Sequence, residues 1–215
     1  MTAVSYVLIV AVGYLVGGIP TAFLIGRLRG VDIRRVGSGN VGATNALRTL
    51  GWKVGVTVMA LDVAKGYLAA GVLPLLPVWA GERVYLGMAA GVAAILGHVF
   101  SPYLRFRGGK GVATAAGVLV ALAPLPTAIA AGAFALVAFG TGIVSLASLT
   151  AAVTLPVAAF LLDRTAAYAV HPAVRAVTVG LVPFIFYTHR QNIRRLIAGK
   201  ENRFRRPWEK RSGRG

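Results

Sequence analysis

The sequence predicts an all-α integral membrane protein with about seven transmembrane helices, and three observations support this fold class. Apolar residues make up 57% of the 215 residues and charged residues only 13%, whereas soluble domains are usually about a quarter charged. Uncharged stretches long enough to cross a bilayer recur along the chain, since a spanning helix needs about 20 apolar residues. The basic residues are concentrated in a few of the segments between these stretches.

Long apolar stretches place most of the predicted spans, which cover residues 3–26, 52–78, 84–103 and 176–188, the second of them interrupted by Asp62 and Lys65. The first has no Lys or Arg before it and is too long for the apolar core of a signal peptide, so we expect a span. Between Gly111 and Leu162 no residue is charged, and a single helix of that length, about 78 Å, would exceed two bilayer thicknesses. This stretch must therefore fold back, at Pro124 and Pro126 and again near residues 140–148.

The distribution of basic residues predicts the orientation. Nineteen of the 23 Lys and Arg residues fall within 27–53, 103–110 and 189–215, which seven spans place on one side. The positive-inside rule makes that side cytoplasmic, so we expect a cytoplasmic C-terminus and an N-terminus outside. This asymmetry explains most of the net charge of +17 without a nucleic acid. We expect one membrane domain over 1–206 and a polybasic tail over 207–215, with Trp208 at the membrane interface.

Composition also limits the chemistry. Cysteine is absent, which excludes disulfides, thiolate nucleophiles and cysteine metal ligands. The three histidines, His98, His171 and His189, are too few to indicate a metal cage. We therefore expect no metal and no other cofactor.

The first predicted cytoplasmic segment, V-G-S-G-N-V-G-A-T-N-A-L-R-T-L-G over 36–51, is rich in glycine. Its match to G-x-G-x-x-G is weak because a dinucleotide site needs a preceding strand. Glycines nevertheless allow backbone N–H groups to converge on an anion, and a short helix ending at Gly51 is predicted. Ser38 can donate to a phosphate oxygen and Arg48 can bind one bidentately. The alternative is a glycine turn at the bilayer surface with one topology-setting arginine.

The second segment, S-P-Y-L-R-F-R-G-G-K-G-V-A-T over 101–114, places a glycine turn before a helix expected from about Val112. Small residues expose backbone donors, the helix N-terminus is positive, and Lys110 adds a point charge. Lys110 is thus the better phosphate ligand here. We interpret Arg105 and Arg107 as interfacial residues that set the topology.

The third segment, T-H-R-Q-N-I-R-R-L-I-A-G-K-E-N-R-F over 188–204, follows the last predicted span. On a helix that continues from this span, His189 and Asn192 share a face. Glu201 is an acid beside a dense basic cluster, and we expect a structural ion pair rather than catalysis.

A few polar residues lie inside or at the ends of predicted spans. Asp62 and Lys65 can neutralise each other on one helix face, for which we favour a structural role. For His98 we favour a hydrogen-bonded packing role over catalysis. Ser145 and Ser148 are expected at the cytoplasmic end of the fifth span, and only that location suggests a function for them.

Together the three segments resemble the three motifs of the PlsY-type acyl-phosphate:glycerol-3-phosphate acyltransferases, over about residues 1 to 206. Val41 stands where Pro or Ile is common in the family, and Arg107 where Lys is usual. The resemblance implies transfer of a fatty acyl group from acyl phosphate to the 1-hydroxyl of sn-glycerol 3-phosphate. The products would be 1-acylglycerol 3-phosphate and phosphate, in bacterial phospholipid synthesis at the cytoplasmic face of the inner membrane.

The resemblance also implies partners and site residues. Glycerol 3-phosphate, fatty acyl phosphate, membrane lipids and the soluble enzyme that makes acyl phosphate are the expected partners. The implied catalytic residues are Ser38, Arg48, Lys110, His189 and Asn192. The implied substrate- and phosphate-binding residues are Gly37, Gly39, Asn40, Gly42, Thr44, Asn45, Gly108, Gly109, Gly111, Ser145 and Ser148.

The H-x-x-x-x-D motif of other acyltransferases is absent. An acyl phosphate is an activated donor that demands little proton chemistry from the protein. Our hypothesis is therefore that a substrate phosphate oxygen takes the hydroxyl proton, with His189 and Asn192 as binding residues; His189 as the general base is the alternative.

Two other functions are considered. A small-anion transporter would place its ligands near the midplane between related repeats; we find no internal repeat, and the candidate ligands gather on one predicted face. A membrane scaffold with basic loops would need positive charge but not the glycines, Ser38 or Asn192.

Overall fold

A computed structural model describes residues 1–165 and 168–204, and every regular element in these ranges is helical, as predicted. The α-helices are α1 Thr2–Gly18, α2 Thr21–Leu28, α3 Ala43–Leu50, α4 Trp52–Tyr67, α5 Arg83–Val99, α6 Val112–Leu122, α7 Pro124–Thr141, α8 Val144–Asp163, α9 Pro172–Thr188 and α10 Arg190–Ile197. The predicted tail over 207–215, with Trp208, lies outside the described residues.

Five helical segments in the described part of the chain are long and apolar enough to cross a membrane. They are Thr2–Leu28, Trp52–Leu75, Arg83–Leu104, Pro124–Thr141 and Val144–Asp163. Helices α6 and α9 are also apolar but shorter, with 11 and 17 residues. These segments make the protein a multi-pass membrane protein, while the count of seven spans and the orientation of the termini stay predictions.

The long uncharged stretch folds back twice, close to the predicted places. Pro124 is the first residue of α7, where proline's missing N–H has no helical partner to lose. Gly142 ends α7 with φ 75°, a left-handed conformation that glycine adopts without a Cβ clash. Because this turn precedes Ser145 and Ser148, both serines lie in the first turns of α8. Their predicted placement at the end of the preceding span was wrong.

Glycine allows two helix pairs to approach until their backbones touch. A Cβ on Gly17 in α1 would lie 2.1 Å from the Ala94 oxygen of α5, and one on Gly66 in α4 would lie 2.1 Å from the Thr114 oxygen of α6. Lipid is as apolar as leucine, so membrane helices associate through this kind of close packing. The loop between α5 and α6 therefore connects two tightly packed helix pairs.

The third polar segment forms a helix that is separate from α9. His189, with φ −98° and ψ 7°, interrupts the helix expected to continue from the last span. Its backbone N–H and its ring Nδ1 both approach the Ile185 oxygen, at 3.0 and 2.9 Å, so the side chain competes for a helical acceptor. Helix α10 follows directly, because the Ile193 N–H donates to the His189 oxygen.

Candidate active site

The side chain of Asn45 folds the first glycine-rich segment. Its Oδ1 accepts from the Ser38 N–H at 2.9 Å, and its Nδ2 donates to the Ile33 and Val36 oxygens, both at 3.1 Å. Gly37 has φ 60°, and a Cβ there would lie 2.3 Å from Asn45 Oδ1. The Asn45 amide is thus used by the loop itself, and Gly37 leaves room for it.

The rest of this segment faces a large cavity. Gly39, Asn40, Gly42 and Thr44 line it together with Ser38, Asn45 and Arg48, whereas Gly37 is not among the lining residues. Gly42 precedes α3 without a side-chain cap, so the first amides of α3 have no partner within the helix. The segment therefore presents hydroxyl, amide and guanidinium groups with a positive helix end.

The second segment is held against the end of α5. Gly108 N–H donates to the Val99 oxygen at 2.9 Å and Gly109 N–H to the His98 oxygen at 3.0 Å. A Cβ on Gly108 would lie 1.9 Å from the His98 oxygen, so only glycine allows this approach. The expectation that these two amides are free for an anion is not met here, because α5 carbonyls use them. Gly111, with φ 84°, is the N-cap of α6.

A chain of hydrogen bonds joins the second segment to the third. Lys110 Nζ donates to Asn192 Oδ1 at 2.5 Å, and Asn192 Nδ2 donates to Glu201 Oε1 at 2.7 Å. Arg195 Nε donates to Glu201 Oε2 at 2.7 Å, which confirms the expected ion pair of Glu201. Sequence reasoning missed Arg195 as a cavity residue, although its i, i+3 spacing from Asn192 could have indicated it.

The residues after α10 reach the first segment and the turn between α7 and α8. The Asn202 oxygen accepts from Arg48 Nη2 at 3.3 Å, and Phe204 N–H donates to the Gly142 oxygen at 2.8 Å. The rings of Phe204 and Phe139 pack edge to face, 6.1 Å apart. Residues 201–204 thus fasten α3 and the α7–α8 turn to the same site.

Burial controls the charge of Lys110. It lowers the pKa of Lys110 to about 8; Glu201 opposes this, and Arg195 and Arg48 add to it. Burial likewise lowers the pKa of Arg48. Burial alone would raise the pKa of Glu201, but its hydrogen bonds from Arg195 and Asn192 lower the pKa overall. A cluster with three cations and one carboxylate favours an additional anion.

His189 is held as a neutral imidazole. A carbonyl oxygen only accepts, so the bond to Ile185 places the proton on Nδ1 and leaves Nε2 as an acceptor. Burial, and then Lys110, lower the pKa of His189 to about 4. Within residues 1–165 and 168–204 no carboxylate forms an ion pair with the His189 ring. At neutral pH its Nε2 can accept a hydrogen bond from a substrate hydroxyl.

Two polar atoms of this cluster are buried without a hydrogen bond of normal geometry in the described residues: Arg48 Nε, and Ser145 Oγ, which lies close enough to the Glu201 carboxylate to help lower its pKa. Leaving such a group unsatisfied costs about 1–3 kcal/mol, so a bound polar ligand is the natural partner. Ser148 differs, since its hydroxyl donates to the Val144 oxygen at 2.9 Å. Ser145 is therefore the better donor of the two serines.

The cavity, of about 1380 Å³, combines this cationic end with an apolar arm. Lys110, Gly111, Ser145, Ser148, His189 and Asn192 all line it. The arm lies between α6, α7, α8 and α9, and Ala115, Leu119, Ala130, Ala152, Leu155 and Leu181 line it. Such a shape suits a molecule with an anionic head and a long apolar tail.

Comparison with known proteins agrees with this geometry. The family model described as glycerol-3-phosphate acyltransferase matches residues 7–199. Glycerol-3-phosphate acyltransferase of Chlorobium phaeobacteroides (strain BS1) is 42% identical, over 93% of this chain and 96% of the relative. The protein of the same name from Trichlorobacter lovleyi (strain ATCC BAA-1151 / DSM 17278 / SZ) is also 42% identical, over 91% and 96%.

Two crystal structures of PlsY, an integral membrane glycerol 3-phosphate acyltransferase, have the same fold. The glycerol 3-phosphate form gives a TM-score of 0.82 at 37% identity, and the lysophosphatidic acid form gives 0.81 at 36%. Each comparison covers 94% of this chain and 96% of the crystallised chain. This chain belongs to the glycerol-3-phosphate acyltransferase family.

Proposed function

We propose that this protein transfers a fatty acyl group from acyl phosphate to the 1-hydroxyl of sn-glycerol 3-phosphate, giving 1-acylglycerol 3-phosphate and phosphate. Family membership, and the relatives crystallised with glycerol 3-phosphate and lysophosphatidic acid, support the acceptor and the product. The observation that supports acyl phosphate as the donor is that the cationic cluster and the apolar arm line the same cavity. A fatty acyl phosphate has its charge and its tail in this arrangement.

We place the reaction at the cytoplasmic face of the bacterial inner membrane, in phospholipid synthesis, with residues 1–206 as the acyltransferase domain. The concentration of Lys and Arg in the three polar segments supports this face, seven spans and an N-terminus outside. Membrane lipids and the soluble enzyme that makes acyl phosphate are the further partners.

Lys110, Arg48 and Ser145 are the proposed ligands of the donor phosphate. Their ammonium, guanidinium and hydroxyl groups face one cavity, and Arg48 Nε and Ser145 Oγ are buried there without a hydrogen bond of normal geometry. Cations fixed in a partly dry site stabilise the charge that develops on a departing phosphate. Ser38 and the part of the first loop that lines the cavity, with Gly39, Asn40, Gly42 and Thr44, would receive the phosphate of the acceptor.

In the proposed reaction the acceptor hydroxyl oxygen bonds to the acyl carbonyl carbon. The bond from that carbon to the phosphate oxygen then breaks, and a substrate phosphate oxygen takes the hydroxyl proton. Holding the two reactants together can supply about 7–11 kcal/mol of the barrier. His189 Nε2 orients the hydroxyl, and Asn192 positions Lys110.

The donor assignment has a direct test. Purified protein with glycerol 3-phosphate should form lysophosphatidate from palmitoyl phosphate and not from palmitoyl-CoA. A thioester presents no phosphate at its reacting carbonyl, so the stabilisation supplied by Lys110 would be lost. Initial rates at matched concentrations in detergent measure the difference. Comparable rates with both donors would contradict the proposal.

The apolar arm predicts a chain-length effect. Ala152 is 8% exposed and lines the arm, whereas its neighbour Val153 is 45% exposed. Ala152→Phe should lower kcat/KM for palmitoyl phosphate about 10-fold or more, since filling a pocket costs roughly 1–3 kcal/mol. Octanoyl phosphate should be affected much less. Val153→Phe, on the outward face, is the control; equal effects on both donors would show that the tail lies elsewhere.

Lys110 should be needed for turnover but not for insertion. Lys110→Met removes the point charge at the phosphate and should reduce kcat/KM by about 10²–10³-fold or more. Lys110→Arg should restore only part of the activity, because a planar guanidinium does not replace a compact ammonium. Near-normal turnover by the folded Lys110→Met variant would contradict this role and would leave the second segment with a role in membrane topology only.

The pH dependence should report the same ammonium. The pKa of Lys110 is lowered to about 8, so the side chain is cationic below that pH and neutral above it. In the wild type kcat/KM for acyl phosphate should therefore decline as the pH rises through about 8. Lys110→Arg should lack this decline, since the guanidinium stays protonated to above about pH 12. An identical alkaline decline in both proteins would assign it to another group.

His189→Ala separates orientation from proton transfer. We expect KM for glycerol 3-phosphate to rise about 10-fold, the cost of one hydrogen bond of about 1.4 kcal/mol, with kcat little changed. The pH dependence of kcat near neutral pH should be the same in the wild type and in the variant, because the pKa of His189 is lowered to about 4. A fall in kcat of about 10²–10⁴-fold at constant KM would instead identify a general base.

A further inference from the structure

A buried polar cluster lies behind the second segment, within the helices that cross the membrane. Asp62 is 1% exposed, and its Oδ1 accepts from Lys65 Nζ at 2.8 Å and from Thr21 Oγ1 at 2.7 Å. Lys65 Nζ also donates to the Ile19 oxygen at 2.9 Å, at the break between α1 and α2. The expected pairing of Asp62 with Lys65 is thus confirmed, and the pair is also tied to the first span.

His98 connects this cluster to the loop that carries Lys110. Its Nδ1 lies 3.7 Å from Asp62 Oδ1, and its backbone oxygen accepts the Gly109 N–H at 3.0 Å. Its ring packs on Gly109 so closely that a Cβ there would lie 2.2 Å from Nε2. Gly109 immediately precedes Lys110 in the chain. The imidazole of His98 therefore contacts the backbone that sets the position of the Lys110 ammonium.

Packing alone does not account for these residues. Buried ion pairs are often no more stable than apolar residues of the same size, and ionisable groups inside a membrane usually serve a function. Asp62 and His98 both line the cavity, whereas Lys65 and Thr21 do not. An unpaired Asp62 carboxylate would repel substrate phosphates, so Lys65 also serves to neutralise it.

We propose that His98 is a positioning residue for Lys110. Asp62, held by Thr21 and Lys65, sets the imidazole, and the imidazole supports Gly109 so that the ammonium of Lys110 reaches the cationic end of the cavity. This inference rests on the proposed role of Lys110 and extends it to residues that need not touch a substrate.

The first test acts on the cluster from outside the cavity. Thr21→Val removes the hydroxyl that holds Asp62 and should loosen Lys110, which then becomes less buried. The alkaline decline of kcat/KM should move upward by about 0.5–1 pH unit, a shift typical of a changed environment. Thr57→Val is the control: Thr57 is exposed on α4, and its hydroxyl bonds to the Lys53 oxygen rather than to Asp62. Loss of folded protein lowers the amount of activity but does not move the inflection.

The second test measures coupling between the ring and the loop. Gly109→Ala should cost kcat/KM less in a His98→Ala background than in the wild type, because the ring that its Cβ would meet is gone. The recovery should be partial, since the Val41 oxygen would still lie 2.9 Å from that Cβ. Gly108→Ala is the matched control, because its Cβ meets the His98 backbone oxygen at 1.9 Å, which His98→Ala leaves in place.

The outcomes are distinct from those of the proposed function. If Lys110→Met turns over normally, the role of Lys110 fails whatever His98 does. If Lys110 is required but Thr21→Val leaves the alkaline decline unmoved, His98 is not a positioning residue. Additive effects of Gly109→Ala and His98→Ala overturn the inference in the same way.

Discussion

The hydrogen-bonded chain from Lys110 through Asn192 and Glu201 to Arg195 is the interaction on which the site depends. It joins segments that are far apart in the sequence and places several cations around one acid. Within this chain the Asn192 amide satisfies a donor on one side and an acceptor on the other. A half-buried group of like charges is stable only with such pairing, or with a bound anion. The arrangement therefore favours the binding of an additional anion.

Close backbone contact sets where this chain can form. Gly108 and Gly109 bring the loop onto the last carbonyls of α5, and glycines in α1 and α4 bring those helices to van der Waals contact with α5 and α6. In a membrane, where apolar side chains gain little by leaving lipid, such contacts supply much of the stability. The close packing around the site thus depends on residues that lack a side chain.

The all-helical, multi-pass character of the chain could be predicted from the sequence, and most of the predicted site residues line the cavity. Long uncharged stretches specify helices, and the glycine at 142 and the prolines near 124 mark the reversals. An ion pair of Glu201 with a basic residue was also predictable, because an acid among arginines rarely stays unpaired. The positions of Ser145 and Ser148 relative to the α7–α8 turn were not predicted correctly. The chain turns at Gly142, three residues before Ser145, so both serines lie in α8.

By itself, the sequence determined that the chain is helical, that it crosses a membrane several times, and that its basic and glycine-rich segments are separate from its apolar spans. These properties follow from local composition and helix geometry. Only the tertiary structure decided which groups meet: Asn45 folds its own loop, the Gly108 and Gly109 amides bind α5, and His98 lies against Gly109. Such contacts depend on how helices that are distant in the sequence pack together, and this packing cannot be predicted from local composition.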